Sequence, residues 1–208
     1  MILSTENLSK RFNREWIFRD FNYTFKPGTY AITGPNGSGK STMLQVLWGQ
    51  ILSTSGILRY QDDSTLIPIE DIYRHLSIAA PYVDLIEELT LPEMMQFHFS
   101  FKKIRDGKSL SDLLDLFELS HARNKQVGHF SSGMKQRLKL GLALFSEVKL
   151  IFMDEPTTNL DKQSVAWYWK NFEQIKAETV VFIGSNHEAE YPEKAIKICL
   201  SDYKRGYK

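Results

Sequence analysis

Nine consecutive residues carry the clearest chemistry in this chain. Gly34, Pro35, Asn36, Gly37, Ser38, Gly39, Lys40 and Ser41 fit the spacing G-x-x-x-x-G-K-[ST] without a gap, and Thr42 follows. That spacing suits phosphate: three glycines let backbone N–H groups turn inward around an anion, Lys40 brings a point charge to the outer phosphates, and the Ser41 hydroxyl can ligate Mg²⁺. Asn36 and Ser38 are expected to give backbone N–H groups more than side chains. The run TYAIT before the loop is that of a buried strand, and Lys40 to Trp48 after it reads as an amphipathic helix whose positive dipole end faces the anion. The pattern implies binding of a nucleoside triphosphate.

A second group lies far along the chain. The run LIFMDE, residues 150 to 155, puts Asp154 and Glu155 at the end of an apolar strand, where a parallel sheet opens to its ligand crevice. Asp154 there can hold Mg²⁺, and Glu155 can accept a proton from an attacking water. His187 follows the apolar run VVFIG, 33 residues after Asp154. His75, His98, His121 and His129 lack such a context and read as surface or packing residues.

These groups need a frame. Strand-like runs ILSTENL and FNYTF open the sequence, a turn at Lys26-Pro27-Gly28 leads into TYAIT, and SGILRY with the QDDS turn suggests a further strand pair. From about Tyr82 to Ser132 the pattern is helical: Thr90 and Glu93 form a capping box with Pro92 in the first turn, and Leu110, Leu113, Leu114 and Phe117 make an i, i+3, i+4, i+7 stripe. Beyond it come a helix with Met134, Leu138, Leu142 and Phe145 on one face, the strand VKLIFM, and a helix from about Asp161 lined by Val165, Trp169 and Phe172. The strands ETVVFIG and AIKICL follow. Of the cluster Trp167, Tyr168 and Trp169, half is expected in the core and the rest is open to a partner. The expected fold is α/β: a phosphate-loop core with a mostly parallel sheet, an N-terminal antiparallel β portion, and an inserted helical subdomain at about residues 82–132 between core segments 1–81 and 133–208.

Composition narrows the class. At 208 residues, with 42% hydrophobic and 25% charged residues, this is the balance of one globular domain. A net charge of +1 gives no electrostatic reason to expect direct nucleic-acid binding, and the short basic tail of Lys204, Arg205 and Lys208 reads as a solvated terminus. The lone Cys199 excludes an internal disulfide and reads as a buried structural thiol in a reducing compartment. MILSTENLSKRF has no signal-peptide core, and no segment approaches the ~20 apolar residues of a membrane span, so a cytoplasmic location is expected.

Further residues carry a family resemblance. Asp154-Glu155-Pro156-Thr157-Thr158-Asn159-Leu160-Asp161 closely resembles the Walker B motif and D-loop of ATP-binding cassette (ABC) proteins, and the phosphate loop resembles their Walker A. FSSGMKQR, residues 130 to 137, is similar to the LSGGQ signature: Ser131 and Gly133 match, while Ser132 and Met134 depart. Phe12 stands where the family places an aromatic that stacks on adenine, though Trp16 lies four residues on and either ring could do so. His187 stands at the switch histidine. Where the family has a glutamine that touches Mg²⁺ and the attacking water, this sequence has Pro81, which has neither an amide side chain nor an N–H.

The resemblance implies an ATPase using ATP and Mg²⁺, with two cassettes dimerising head to tail around shared nucleotides. By position, Lys40, Glu155 and His187 would be catalytic, Ser41 and Asp154 would hold the metal, Ser131, Ser132 and Gly133 would meet the partner's ATP, and Asp161 would communicate across the dimer. It further implies a transporter subunit, held on the inner face of the cell membrane by a transmembrane partner. Two other readings are a soluble cassette acting on nucleic acid or ribosomes, and a slow regulatory nucleotide-binding module suggested by Pro81, Ser132 and Met134.

Overall fold

The computed structural model describes residues 1–204; Arg205 and Lys208 of the basic tail lie outside the described residues. Strands β1 (Ile2–Phe12), β2 (Glu15–Phe25), β4 (Ser55–Asp62) and β5 (Thr65–Ile67) form an antiparallel sheet in the order β2-β1-β4-β5. Strands β3 (Gly28–Thr33), β6 (Leu76–Ala79), β7 (Leu150–Asp154), β8 (Val180–Gly184) and β9 (Ile196–Cys199) form a second sheet, order β6-β7-β8-β3-β9. Each of its pairings is parallel. Both parts of the expected β architecture are present.

The parallel sheet is buried on both faces, and alternation along its strands divides the interior in two. Leu150, Phe152, Val180, Phe182 and Ile32 join helix α1 (Lys40–Leu47) and the antiparallel sheet's Leu3, Phe18, Phe21 and Phe25 in one core. Ile151, Met153, Val181, Ile183 and Ala31 join helices α2 (Leu91–Phe101), α3 (Leu110–Leu116), α4 (Ser132–Leu144) and α5 (Lys162–Phe172) in the other. A period of two on a two-sided sheet produces this division. Within the first core an aromatic series crosses the strands. Phe182 stacks on Phe152 at 4.6 Å, Phe152 meets Trp48 edge-on at 5.4 Å, and Trp48 stacks on Tyr82 at 6.1 Å.

Helices α2 and α3 fill the insertion between β6 and α4. The Thr90–Glu93 capping box forms, with the Thr90 N–H donating to Glu93 at 2.8 Å. A second box that the sequence reading lacked, Ser109 with Asp112, starts α3. Leu113, Leu114 and Phe117 are buried as expected, and Leu110 is half-buried. The face expected for α5 is displaced: Trp167, Tyr168, Asn171 and Phe172 are buried, whereas Val165 and Trp169 are only half-buried. The polar tips decide this, because Trp167 Nε1 donates to the Leu116 carbonyl at 2.6 Å and the Tyr168 hydroxyl to the Glu190 carbonyl at 3.0 Å, so both rings can be buried with their polar atoms satisfied. Cys199 is half-buried rather than buried, since it lies at the last position of the edge strand β9.

Candidate functional site

Register brings the chemistry together. Ile32 on β3 and Asp154 on β7 both pair with Gly184 on the intervening β8, so the strand ends that carry the phosphate loop, the carboxylates and the histidine open side by side. Gly184 is required there: a Cβ would lie 2.6 Å from Asp154 Oδ1 and 2.8 Å from Leu44 on α1.

The phosphate loop turns through positive φ at Gly34, Gly37 and Gly39 (144°, 75° and 104°) and delivers the chain into α1 at Lys40. At Gly39 a Cβ would come within 2.1 Å of Ile17 on β2, so the antiparallel sheet supports the loop from behind. Lys40 is 5% exposed and folds back over the loop, its ammonium donating to the Gly34 carbonyl at 3.0 Å and that of Pro35 at 3.4 Å. Ser41 and Thr42 follow on the first turn of α1, both half-buried. The Ser38 N–H donates to the Pro35 carbonyl at 3.0 Å. The Asn36 side-chain oxygen accepts the Asn186 amide at 2.5 Å, tying the loop to the segment after β8.

Asp154 is 2% exposed, and burial holds its carboxyl above the ordinary range. The Ser41 and Tyr82 hydroxyls oppose that shift, as does the Lys40 charge, while Glu155 adds to it. Asp154 Oδ1 and the Tyr82 hydroxyl are buried without a well-formed hydrogen bond. Among the described residues no cluster of three His, Cys, Asp or Glu side chains is arranged to hold a metal. A buried carboxylate with a free oxygen beside a serine hydroxyl nonetheless fits a Mg²⁺ ion that draws its other ligands from phosphate and water.

Glu155 adopts left-handed backbone, φ 46°, fixed by its N–H donating to the Gly184 carbonyl at 2.9 Å. Thr158 donates to its Oε2 at 3.5 Å. His187 is exposed, with its backbone N–H donating to Ser185 Oγ at 2.9 Å. Pro81 is exposed, and its carbonyl and that of Ala80 accept Lys139 Nζ of α4 at 3.0 and 3.1 Å. The adjacent Tyr82, invisible to sequence reasoning, is the residue of that segment whose side chain reaches Asp154.

A separate cleft of about 690 Å³ gathers the signature-like residues. Ser131 caps α4 by accepting the Met134 N–H at 3.3 Å, and Ser132 and Gly133 follow in its first turn. Asp161 caps α5, accepting the Ser164 N–H at 2.7 Å, a bond that lowers its carboxyl pKa. Both caps line this cleft, whereas no phosphate-loop residue does. The predicted site residues thus fall into two groups on one chain. Gln136 of α4 connects them, donating to the Pro156 carbonyl at 2.9 Å. Phe12 is 47% exposed, with Lys10 Nζ 4.7 Å from its ring centre. Trp16 is half-buried between the guanidinium groups of Arg11 and Arg19, 5.4 and 5.2 Å from its ring.

Residues 18–158 match the family model described as ABC transporter. The chain is 30% identical over 191 residues to the uncharacterized ABC transporter ATP-binding protein YybJ of Bacillus subtilis, covering 88% of this chain and 84% of that protein. It is 31% identical over 192 residues to the lantibiotic transport ATP-binding protein SrtF of Streptococcus pyogenes, covering 89% and 80%. Among solved structures, the ATP-binding cassette MJ0796, a dimer in a post-hydrolysis state with ADP and phosphate, superposes with a TM-score of 0.76 at 23% identity, over 99% of this chain and all of that one. That last likeness bears on the fold.

Proposed function

This chain belongs to the ABC transporter family, and on that premise we propose that it is the ATP-binding and hydrolysing subunit of a transporter, moving substrate through a separate transmembrane subunit by ATP-driven dimerisation. The reading rests above all on the register that sets Lys40 and Ser41 beside a buried, incompletely bonded Asp154. Residues 34–42 wrap the phosphates, Lys40 turns its ammonium from the loop carbonyls to the outer phosphates, and Phe12, the freer of the two rings, stacks on adenine. Ser41 and Asp154 hold Mg²⁺, which supplies neutralisation of charge on the phosphate oxygens. Glu155 accepts the proton of the attacking water, and His187 contacts the γ-phosphate.

Ser131, Ser132 and Gly133, with Asp161 beside them, face the nucleotide of a second cassette, so a complete site needs two chains. We take residues 1–208 as one ATP-binding domain whose helical subdomain spans about 82–132. No helix among the described residues is long and apolar enough to cross a membrane. The exposed pair Phe97 and Phe101 on α2, 5.3 Å apart, offers an apolar face to the membrane-spanning partner, which would hold the cassette at the inner face of the membrane.

Phosphate release by the purified chain tests the chemistry. With Mg²⁺ and ATP the wild type should turn over, Lys40→Ala should lose nucleotide binding, and Glu155→Gln should keep binding while losing about 10²–10⁴-fold in rate, the usual range for a general base. A Glu155→Gln variant as fast as wild type removes the proposed base.

A further inference from the structure

Glu190 belongs to none of the motifs above, yet it is 3% exposed and lies between two of them. It ends the 3-10 turn Glu188–Glu190 after β8. Its Oε1 accepts the Thr157 backbone N–H at 3.0 Å and also the Thr157 hydroxyl, two residues beyond Glu155. Its Oε2 accepts the Ser185 hydroxyl. Ser185 Oγ in turn accepts the His187 N–H at 2.9 Å, and the Ser185 N–H donates to Ile32 of β3 at 3.1 Å. Among the described residues this carboxylate makes no ion pair and is held by neutral donors alone. A buried acidic side chain held only by such a set of hydrogen bonds is an expensive way to fill space, so packing by itself does not account for it.

We propose that Glu190 is a positioning residue for hydrolysis: through Thr157 and Ser185 it locks the Glu155 segment and the His187 loop into one geometry. The inference rests on the roles proposed above for Glu155 and His187. Without Glu190, each segment keeps its own strand, but the base and the γ-phosphate contact are no longer registered to each other. Misplacement of reacting groups by about 1 Å is enough to lose rate on the order of 10²-fold.

Glu190→Gln keeps an oxygen that can accept from Thr157 but presents an NH₂ to Ser185, which cannot accept that hydroxyl. Assayed in the full chain with Mg²⁺ and ATP, it should lose about 10-fold or more in kcat, with KM and the dissociation constant for ATP within roughly twofold of wild type. Ser185→Ala should show the same split, and the double variant should lose no more than the stronger single one, as for two members of one network. An unchanged kcat in Glu190→Gln overturns the proposal, as does a loss spread over kcat, ATP affinity and Tm together. If Glu190→Gln does not fold, Ser185→Ala decides alone by the same criteria. A wild type that releases no phosphate overturns the ATPase reading along with this one, whereas an active wild type matched by Glu190→Gln overturns only the role of Glu190.

Discussion

Asp154 occupies a position where a neutral side chain would be more stable. Its carboxyl pKa is raised by burial, so this group favours the fold while protonated and loses that contribution as pH rises from the unfolded-state value through the higher folded-state one. At neutral pH its charge therefore destabilises the protein without nucleotide. Asp154→Asn should raise Tm in the absence of Mg²⁺ and ATP, since it removes that charge from its buried position. The same variant should gain no further Tm on adding both, a comparison made by thermal unfolding with and without ligand. The residues legible in the sequence, from Gly34 to Thr42 and from Asp154 to Asp161, are contiguous along the chain, so their spacing encodes their geometry. Asn186 and Glu190 were not legible, because Asn186 meets Asn36 across 150 residues and Glu190 meets Thr157 across 33. Tyr82 carries no signal in the sequence for another reason: the family pattern marks Pro81, one position before the side chain that reaches Asp154.

At the scale of elements, local signals were read well wherever backbone chemistry sets them. The Thr90 cap of α2 and the buried stripe of α3 depend on residues three or four apart, whereas the inward face of α5 depends on distant carbonyls at Leu116 and Glu190 that receive its rings. His98 shows how an element can carry pH sensitivity without belonging to the site. On α2 its Nε2 lies 2.9 Å from Ser146 Oγ, and burial, with Lys102 nearby, pushes its pKa down to about 4. A depressed histidine leaves stability intact above the unfolded pKa near 6.5 and withdraws it as pH falls toward 4, because the unfolded chain takes up the proton first. The loss is on the order of 2–3 kcal/mol at the acid end. Unfolding curves of wild type and His98→Gln should converge as pH falls from 6.5 to 4, with the wild type losing more. Parallel curves would mean that His98 titrates alike in both states.

For the whole molecule, the separation of the phosphate loop from the signature cleft sets the unit of function. The phosphate loop and the signature-like residues do not share a cleft on one chain, and the head-to-tail pairing proposed above would unite them. With saturating Mg²⁺ and ATP, Glu155→Gln should elute as a dimer in size-exclusion chromatography and return to a monomer when nucleotide is removed. A chain that stays monomeric with bound ATP would refute the shared site. The two-sided sheet beneath these clefts is legible because its central strands β7 and β8 are apolar runs, LIFM and VVFIG, as burial on both faces demands. The aromatic series through the first core adds something different. Trp48 is separated from the Asp154 carboxylate by one phenol ring, that of Tyr82, while Trp167 and Trp169 belong to the opposite core. Under the site proposed above, Trp48 is a native fluorophore one ring from the metal-binding carboxylate, and in a Trp16→Phe background its emission should change when Mg²⁺ and nucleotide arrive.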